Sequence, residues 1–335
     1  LCKQIRLAGK EYGDRYTVDT IYIGGGTPTL LDNRQLSIIG KEIEKAFYCD
    51  LKEFSVEANP CTVDREKLIA LKEMGVTRLS IGVQSFNGSL LKMLGRRHDS
   101  KRAEEAVKLA VEYGFDVSVD AMIGLPEQIK EDVETFIDKA DLLGVKHISL
   151  YMLSVENGTR LKELVDNHKL VTPSDDETAE MYECACLQLE NQGYQRYEIS
   201  NFCKDGKISR HNMHYWQCAD YLGLGMGAHS FINGERWRNA DMFYEYYGAL
   251  DKDIYKFDVI KLSVEEREAE FIMLALRLKD GINTLEFKER FGFDFALKYQ
   301  KALEKNKKYL DISQDRISIK YKYLQLMNSI IVDFI

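Results

Sequence analysis

The stretch IYIGGGTPTLL (residues 21–31) decides the fold, because a short apolar run breaks off into three glycines. An Ile- and Tyr-rich run of this length is typical of a strand in a sheet whose faces are covered. Successive glycines can expose backbone N–H and C=O groups to a ligand at close range. The run lacks the Gly-Lys-Ser/Thr ending of a Walker A loop, and it lacks GxGxxG spacing. It indicates a ligand-binding loop at the end of a strand.

Four further runs of this kind follow, and each alternates with a helical pattern. The predicted strands are 20–23, 53–57, 78–83, 116–122 and 147–153, and the predicted helices are 33–47, 63–74, 100–113 and 129–143. Gly75, Gly114 and Gly144 each lie just past a helical pattern, where the left-handed conformation favours glycine. Five β–α units at roughly 30-residue spacing predict a parallel α/β sheet or a partial barrel.

Polar residues lie at the ends of four consecutive predicted strands. The triple glycine is followed along the chain by Glu57, Gln84 and Asp120 at the later strand ends. The carboxyl ends of parallel strands form the rim where α/β barrels and open sheets bind ligands. Any one of these residues could simply end a strand, but four consecutive strands of this kind predict a binding rim.

Composition excludes several classes of protein. The chain has 335 residues, of which 45% are hydrophobic, and its 46 basic and 54 acidic residues give a net charge of −8. These values are typical of a globular protein and argue against a general nucleic-acid binder. No apolar run approaches the ~18 residues of a membrane span. The seven cysteines, without a CxxC pair, indicate a reducing, cytoplasmic setting.

The chain resembles the radical S-adenosylmethionine (SAM) family around oxygen-independent coproporphyrinogen III oxidase. Five segments carry the likeness in order: IYIGGGTPTLL, SVEANP (55–60), RLSIGVQSF (78–86), LGRRHD (94–99) and VDAMIGLP (119–126). HNMHYW (211–216) resembles the H-N-x-x-Y-W signature of the HemW-type heme chaperones, which the oxidases lack, and GLGMGAHSF (223–231) fits that branch. The resemblance implies a partial (β/α)6 TIM-like barrel, here without its first strand.

The resemblance also assigns SAM contacts at the rim. The positions that match such residues in the family are Gly25, Gly26, Thr27, Glu57, Gln84, Arg96 and Asp120. The residue types suit the ligand, since carboxylates accept hydrogen bonds from ribose hydroxyls or an ammonium and Arg can pair with a carboxylate. Without the resemblance, Arg96 would be interpreted as part of a solvated basic loop.

This sequence departs from the family in the segment that holds the iron–sulfur cluster. Radical SAM proteins hold a 4Fe-4S cluster on a CxxxCxxC loop upstream of the triple glycine, whereas only Cys2 precedes the glycines here. We expect the cluster cysteines, with the first barrel strand, upstream of Leu1, so that the metal ligands lie outside this chain. As given, the chain is not expected to cleave SAM reductively, and the sheet edge beside the missing strand is expected to be open.

The HNMHYW segment is the predicted heme site. His211, Asn212, His214, Tyr215 and Trp216 match the signature, and His211 is the favoured axial ligand. Imidazole commonly ligates heme iron, and aromatic rings can stack on the macrocycle. The alternative is a strand or loop in which His and Trp simply pack. His229 is a further candidate ligand.

Two domains are expected, with residues 1–250 forming the barrel and its extension and residues 251–335 forming a C-terminal domain. Ser263 and Glu266 form a capping-box pattern that opens the first of three helices, and a hairpin follows. This order predicts a winged-helix-like α+β domain. Its basic and acidic residues are closely mixed, which favours packing or protein contacts over DNA binding.

The leading interpretation is a heme chaperone on a SAM- and cluster-binding scaffold. It would bind heme and deliver it to a target heme protein, one expected at a membrane, with no nucleic-acid partner. The alternative is oxygen-independent coproporphyrinogen III oxidase, whose radical chemistry would belong to the cofactor. A DNA-binding regulator that uses the winged helix is a third and weaker hypothesis.

Overall fold

A curled sheet of seven strands organises the first part of the chain. The computed structural model describes residues 1–335, except the side chain of Gln325. Five strands are parallel: β1 Thr17–Ile23, β2 Tyr48–Ala58, β3 Arg78–Gln84, β4 Asp116–Ile123 and β5 His147–Met152. Two short strands pair antiparallel, β6 Gln195–Arg196 and β7 Asn201–Cys203, and the order is β1-β2-β3-β4-β5-β7-β6.

Helices cover one face of this sheet. The helices of the β–α units are α1 Cys2–Tyr12, α2 Asn33–Ala46, α3 Arg65–Glu73, α4 Gly88–Met93, α5 Ser100–Glu112 and α6 Lys130–Leu142, and α7 Arg160–Asp166 and α8 Asp175–Asn191 follow β5. The fold is the predicted α/β half-barrel. The glycines expected to end helices adopt positive φ: Gly75 at 85°, Gly114 at 75° and Gly144 at 79°.

Some predicted details differ from the structure. β2 begins at Tyr48, five residues before the predicted start, because its first half pairs with β1. Helix α5 is capped by the carboxylate of Asp99, which accepts from Arg102 N. Beyond the five predicted strands, the sheet gains the two short strands β6 and β7, which pair with each other.

The strands of the half-barrel have an apolar face and a polar face. Phe54 and Val56 of β2, like their equivalents on β3, β4 and β5, pack against the helices in one large buried core. Because side chains alternate along a strand, the intervening residues point to the opposite, concave face. That face carries polar residues, including Glu53, Ser55 and Glu57 on β2.

A second sheet packs beside α1. Its strands are β8 His229–Ile232, β9 Glu235–Arg238 and β10 Phe257–Lys261, and helices α9 Arg210–Trp216 and α10 Phe243–Asp251 precede and interrupt it. Ile5 and Tyr12 of α1, Trp237 of β9 and Tyr246 of α10 share its buried core.

The C-terminal part of the chain has its own core. Its helices are α11 Val264–Ala275, α12 Thr284–Phe291, α13 Phe295–Lys298, α14 Gln300–Asn306 and α15 Met327–Ile331, and its strands are β11 Ile282–Asn283, β12 Leu310–Ile312 and β13 Arg316–Ile319. The three strands form one antiparallel sheet behind helices α11 to α14, which is the winged-helix-like arrangement. Ser263 caps α11 in the predicted capping box. The division of the chain at residue 250 stays a prediction.

No helix in the described part of the chain is both long and apolar enough to cross a bilayer. The longest helix, α8, carries acidic residues throughout its first turn.

A buried ion pair ties α9 to the floor of the half-barrel. Arg78 Nε donates to Glu53 Oε2 at 3.1 Å, and each side chain is only 4% exposed. Glu53 also accepts from the backbone N–H groups of Arg210 and His211, at 2.9 and 3.3 Å. Arg78 in turn donates to the carbonyls of Lys207 and Ile208. The segment that leads into α9 is therefore held by both members of the pair.

We expect Arg78→Met to lower the free energy of unfolding by about 3–5 kcal/mol, because it leaves the Glu53 carboxylate buried without a counter-charge. Chemical denaturation followed by circular dichroism measures this. Glu53→Gln/Arg78→Met should recover part of the loss, since no unpaired charge remains.

Lys52→Met is the matched control. Lys52 pairs with Asp50 at 2.9 Å, but both side chains are more than half exposed, so its loss should cost less than about 1 kcal/mol. Equal losses for Arg78→Met and Lys52→Met would contradict the structural role of the buried pair.

Candidate functional site

The predicted rim brings the triple glycine and Glu57 together. Gly25 N donates to Glu57 Oε2 at 3.1 Å, and Tyr22 Oη donates to Glu57 Oε1 at 2.9 Å. A Cβ on Gly24 would lie 2.6 Å from Glu57 Oε1, so a side chain here would displace the Glu57 carboxylate. Gly25 and Gly26 have φ of 82° and 133°, and a Cβ on either would face open space. The loop therefore leaves room for a ligand beside a carboxylate.

Asp120 lies on the same concave face. Burial raises the pKa of its carboxyl to about 6, a Ser149 hydrogen bond lowers it, and the charges of Glu57 and Arg96 act in opposite directions. Burial also raises the pKa of Tyr151 to about 12, with the Asp120 charge contributing. Asp120 is therefore poised to take up a proton just below neutral pH.

The other predicted SAM residues surround these carboxylates. Arg96 is exposed overall, but neighbouring protein atoms partly desolvate its guanidinium and lower its pKa, while the Asp120 charge raises it. Gln84 ends β3 with a φ of 71°, a strained conformation for a residue with a side chain. Thr27 is half-buried at the end of the glycine loop. Five of the seven predicted residues therefore lie at the carboxyl ends of strands or in the glycine loop, whereas Asp120 lies within β4 and Arg96 lies in the loop between α4 and α5.

HNMHYW forms a short helix, not the strand or loop of the alternative interpretation. Helix α9 begins after Ser209, whose hydroxyl accepts from Asn212 N, and it ends at Trp216. It packs against β1, the edge strand of the sheet, and against β2. Asn212 and Trp216 are half-buried. The predicted heme motif thus lies at the open edge of the half-barrel.

His211 is the most constrained side chain of the motif. Its Nδ1 is 2.9 Å from Thr20 Oγ1 and its Nε2 is 2.9 Å from Tyr215 Oη. Burial lowers the pKa of His211 to about 4, against the opposing effect of the Glu53 charge. The imidazole is therefore neutral at neutral pH, which is the form that ligates metals.

The other histidines of the predicted site differ from His211. His214 Nε2 lies 3.1 Å from Asp19 Oδ2, without the alignment of a hydrogen bond. His229 is exposed at the start of β8. His211 is the predicted ligand that the fold holds most firmly.

Sequence reasoning missed Tyr22, which joins the two predicted sites. Its hydroxyl binds Glu57, and its ring stacks on the His211 imidazole at 5.2 Å between centroids. His211 contacts Tyr215 at 5.2 Å, and Tyr215 contacts Tyr221 at 4.8 Å. The signal that could have found Tyr22 is the alternation of polar residues in β1, where Thr20 and Tyr22 share a face with one residue between them.

The cysteines are dispersed. All seven are free thiols. Within the described residues, no group of three or more His, Cys, Asp or Glu side chains is placed to hold a metal ion. The residues present do not fit a 4Fe-4S cluster, which needs several thiolates at close spacing.

Two family descriptions match the chain. Residues 3–140 match the Radical SAM superfamily, and residues 262–322 match the HemN C-terminal domain. Among curated proteins, "Heme chaperone HemW" of Bacillus subtilis is 40% identical over 277 residues, 82% of this chain and 73% of that protein. "Heme chaperone HemW" of Lactococcus lactis is 34% identical over 324 residues, 94% of this chain and 84% of that protein.

One solved structure shares the fold over nearly the whole chain. Coproporphyrinogen III oxidase (HemN) from Escherichia coli superposes with a TM-score of 0.84 and covers 99% of this chain and 81% of its own. The sequence identity is 21%, so the likeness is one of fold.

We expect the Asp120 carboxyl to titrate near pH 6, well above an ordinary aspartate. Glu57→Gln should lower this pKa, because it removes a nearby negative charge. Arg96→Gln should raise it, because it removes a positive one. Carboxyl ¹³C NMR of labelled aspartates measures the titration, with Asp120→Asn to assign the signal. Shifts of the same sign in both variants would contradict the charge arrangement of the rim.

Proposed function

Because the chain belongs to the HemW family of heme chaperones within the radical SAM superfamily, we propose that it binds heme as cargo and passes it to heme proteins. The observation that carries the proposal is His211, a neutral imidazole held by two hydroxyls on a short helix at the barrel edge. Neutral imidazole is a common axial ligand of heme iron.

Iron would reach His211 through its Nε2. That nitrogen is hydrogen-bonded to the hydroxyl of Tyr215, a residue that is 42% exposed, and heme iron would replace this hydroxyl as the partner of Nε2. The Thr20 hydroxyl holds the other ring nitrogen, which fixes the ring orientation as hydrogen bonds do at metal sites. Tyr215 and Trp216 would stack beside the macrocycle, and Asn212 and His214 would complete the site.

A ligand that is held in this way can also be released. Both ring nitrogens of His211 have hydroxyl partners, Thr20 and Tyr215, so the protein can satisfy both nitrogens when heme leaves. A carrier needs an empty state that is stable, and this arrangement supplies one without a buried unsatisfied nitrogen.

The rim would bind SAM. Gly25, Gly26 and Thr27 would lie along its methionine part, with Glu57, Gln84, Arg96 and Asp120 around them. The fit is supported by the open space above the two glycines and by the carboxylates beside it, which suit a cation with hydroxyl donors. SAM would act here as a structural or regulatory ligand, and no step through a cluster is proposed.

The proposal extends to the protein that receives the heme and to the cellular compartment in which the chain works. The receiving protein would be a heme protein at a membrane, and the chain would work in the cytoplasm, with its cysteines reduced. Nucleic acid is not a proposed partner. Coproporphyrinogen III oxidase activity, the alternative, is supported by likeness of fold alone.

We expect hemin to bind this chain saturably at one equivalent, and His211→Ala to weaken that binding at least tenfold, because the iron loses its protein ligand. Titration followed by the Soret absorbance measures both the dissociation constant and the stoichiometry. His214→Ala should have a smaller effect.

His168→Ala is the matched control for the hemin titration, because His168 is an exposed histidine far along the chain from the motif. It should bind hemin like the unchanged protein. His229→Ala tests the other candidate ligand. A loss in His229→Ala with none in His211→Ala would move the site, and equal binding by all variants would indicate nonspecific adsorption.

We expect Glu57→Gln to weaken SAM binding about tenfold, because the amide removes the charge and one acceptor that holds the glycine loop. Equilibrium dialysis with labelled SAM measures the change. Glu66→Gln, at an exposed position on α3, is the charge-matched control. Equal SAM binding by the two variants would contradict the proposed rim site.

A further inference from the structure

A cavity of about 410 Å³ lies between the second sheet and the C-terminal helices. Its apolar lining is aromatic, with Phe231 on β8, Phe271 on α11 and Phe291 on α12. Cys218, two residues beyond the end of α9, forms part of the cavity wall. The cavity therefore begins where the HNMHYW helix ends, and both parts of the chain build it.

Two arginines line this cavity, and they differ in their partners. Arg290 is bound to Glu286 at 2.6 Å and to the carbonyl of Cys218 at 3.4 Å. Arg267 forms no ion pair among the described residues, and its Nε is buried without a hydrogen-bond partner. A guanidinium that lines a cavity without a counter-charge can pair with an anionic group there, so Arg267 points to an anionic ligand.

Gly234 brings Arg267 into place. A Cβ at this glycine would be in ordinary contact with Arg267, 3.4 Å from its Cδ, and the φ of 76° is what favours glycine in the turn between β8 and β9. The acidic groups of the cavity are occupied. Glu270 pairs with Arg236 at 2.6 Å, and Asp220 accepts from Asn233 N at 3.0 Å.

Cys218 is not an anionic group in this cavity. Burial raises the pKa of its thiol to about 12, with the Glu270 charge contributing and Arg290 opposing. The site thus offers a free guanidinium, a neutral thiol and three phenyl rings. Such a set suits a flat apolar molecule that carries a carboxylate.

Aromatic contacts join this cavity to the proposed heme ligand. Tyr215, which touches His211, contacts Tyr221 at 4.8 Å, and Tyr221 contacts Phe231 of the cavity at 6.4 Å. The rings meet edge-on or tilted, so they form a chain of aromatic contacts between the His211 imidazole and the cavity wall at Phe231.

We propose that this cavity receives the propionate edge of heme and that Arg267 binds a propionate carboxylate. The inference rests on the proposed heme-chaperone function and adds to it the group that recognises the acidic side of the cargo. Arg267 would orient the macrocycle, while His211 would hold the iron.

The test compares hemin with hemin dimethyl ester, in which both carboxylates are masked, in the same mixed solvent. For the unchanged protein we expect the ester to bind about tenfold more weakly than hemin by Soret titration. Arg267→Gln should weaken hemin binding by the same factor, because the propionate carboxylate loses its counter-charge. It should leave the binding of the ester unchanged, because the ester has no carboxylate that could pair with Arg267. Arg267→Lys should recover part of the hemin affinity.

Arg34→Gln is the control for charge alone, since Arg34 is exposed on α2 and forms no ion pair among the described residues. Circular dichroism checks that each variant is folded. The cavity proposal is wrong if the unchanged protein binds hemin and its dimethyl ester equally well and if Arg267→Gln binds hemin as well as Arg34→Gln does. The chaperone proposal would then still stand. If the unchanged protein does not bind hemin, both proposals fail.

Discussion

The buried ion pair between Glu53 and Arg78 is the constraint on which the arrangement of both predicted sites depends. A carboxylate and a guanidinium this far from water must satisfy each other and every remaining polar atom. They do so by binding the backbone of residues 207–211, which lies between 129 and 158 residues further along the chain. The requirement to satisfy buried charge therefore fixes where the HNMHYW helix lies, on the polar face of β1 and β2.

The polar interior of the half-barrel makes one connected surface from these parts. Glu57 at the rim accepts a hydrogen bond from Tyr22, and the Tyr22 ring stacks on the imidazole of His211. The backbone N–H of His211 in turn donates to Glu53. Coupling between sites travels through packed side chains and hydrogen bonds of this kind. Tyr22 therefore contacts both the carboxylate that holds the glycine loop and the helix that carries HNMHYW.

The sequence predicted the half-barrel because its signals are local. Apolar runs, helical periods and glycines past helix ends all act within a few residues, and the glycines at 75, 114 and 144 have the expected conformation. The partners of Glu53 and Tyr22 could not be predicted in this way. Alternation in β1 and β2 indicates which residues share a face, but the segment that covers that face lies about 150 residues later, for example His211 against Glu53.

The C-terminal domain acquires a role from the same geometry. Its helices α11 and α12 supply Arg267, Phe271 and Phe291 to a cavity whose other wall begins at the end of the motif helix. Arg267 lines this cavity beside the second sheet, and Arg290 is tied to Glu286 and to Cys218. The domain therefore contributes one wall of the proposed propionate cavity, so its contacts with the second sheet, and not its fold alone, would decide its role.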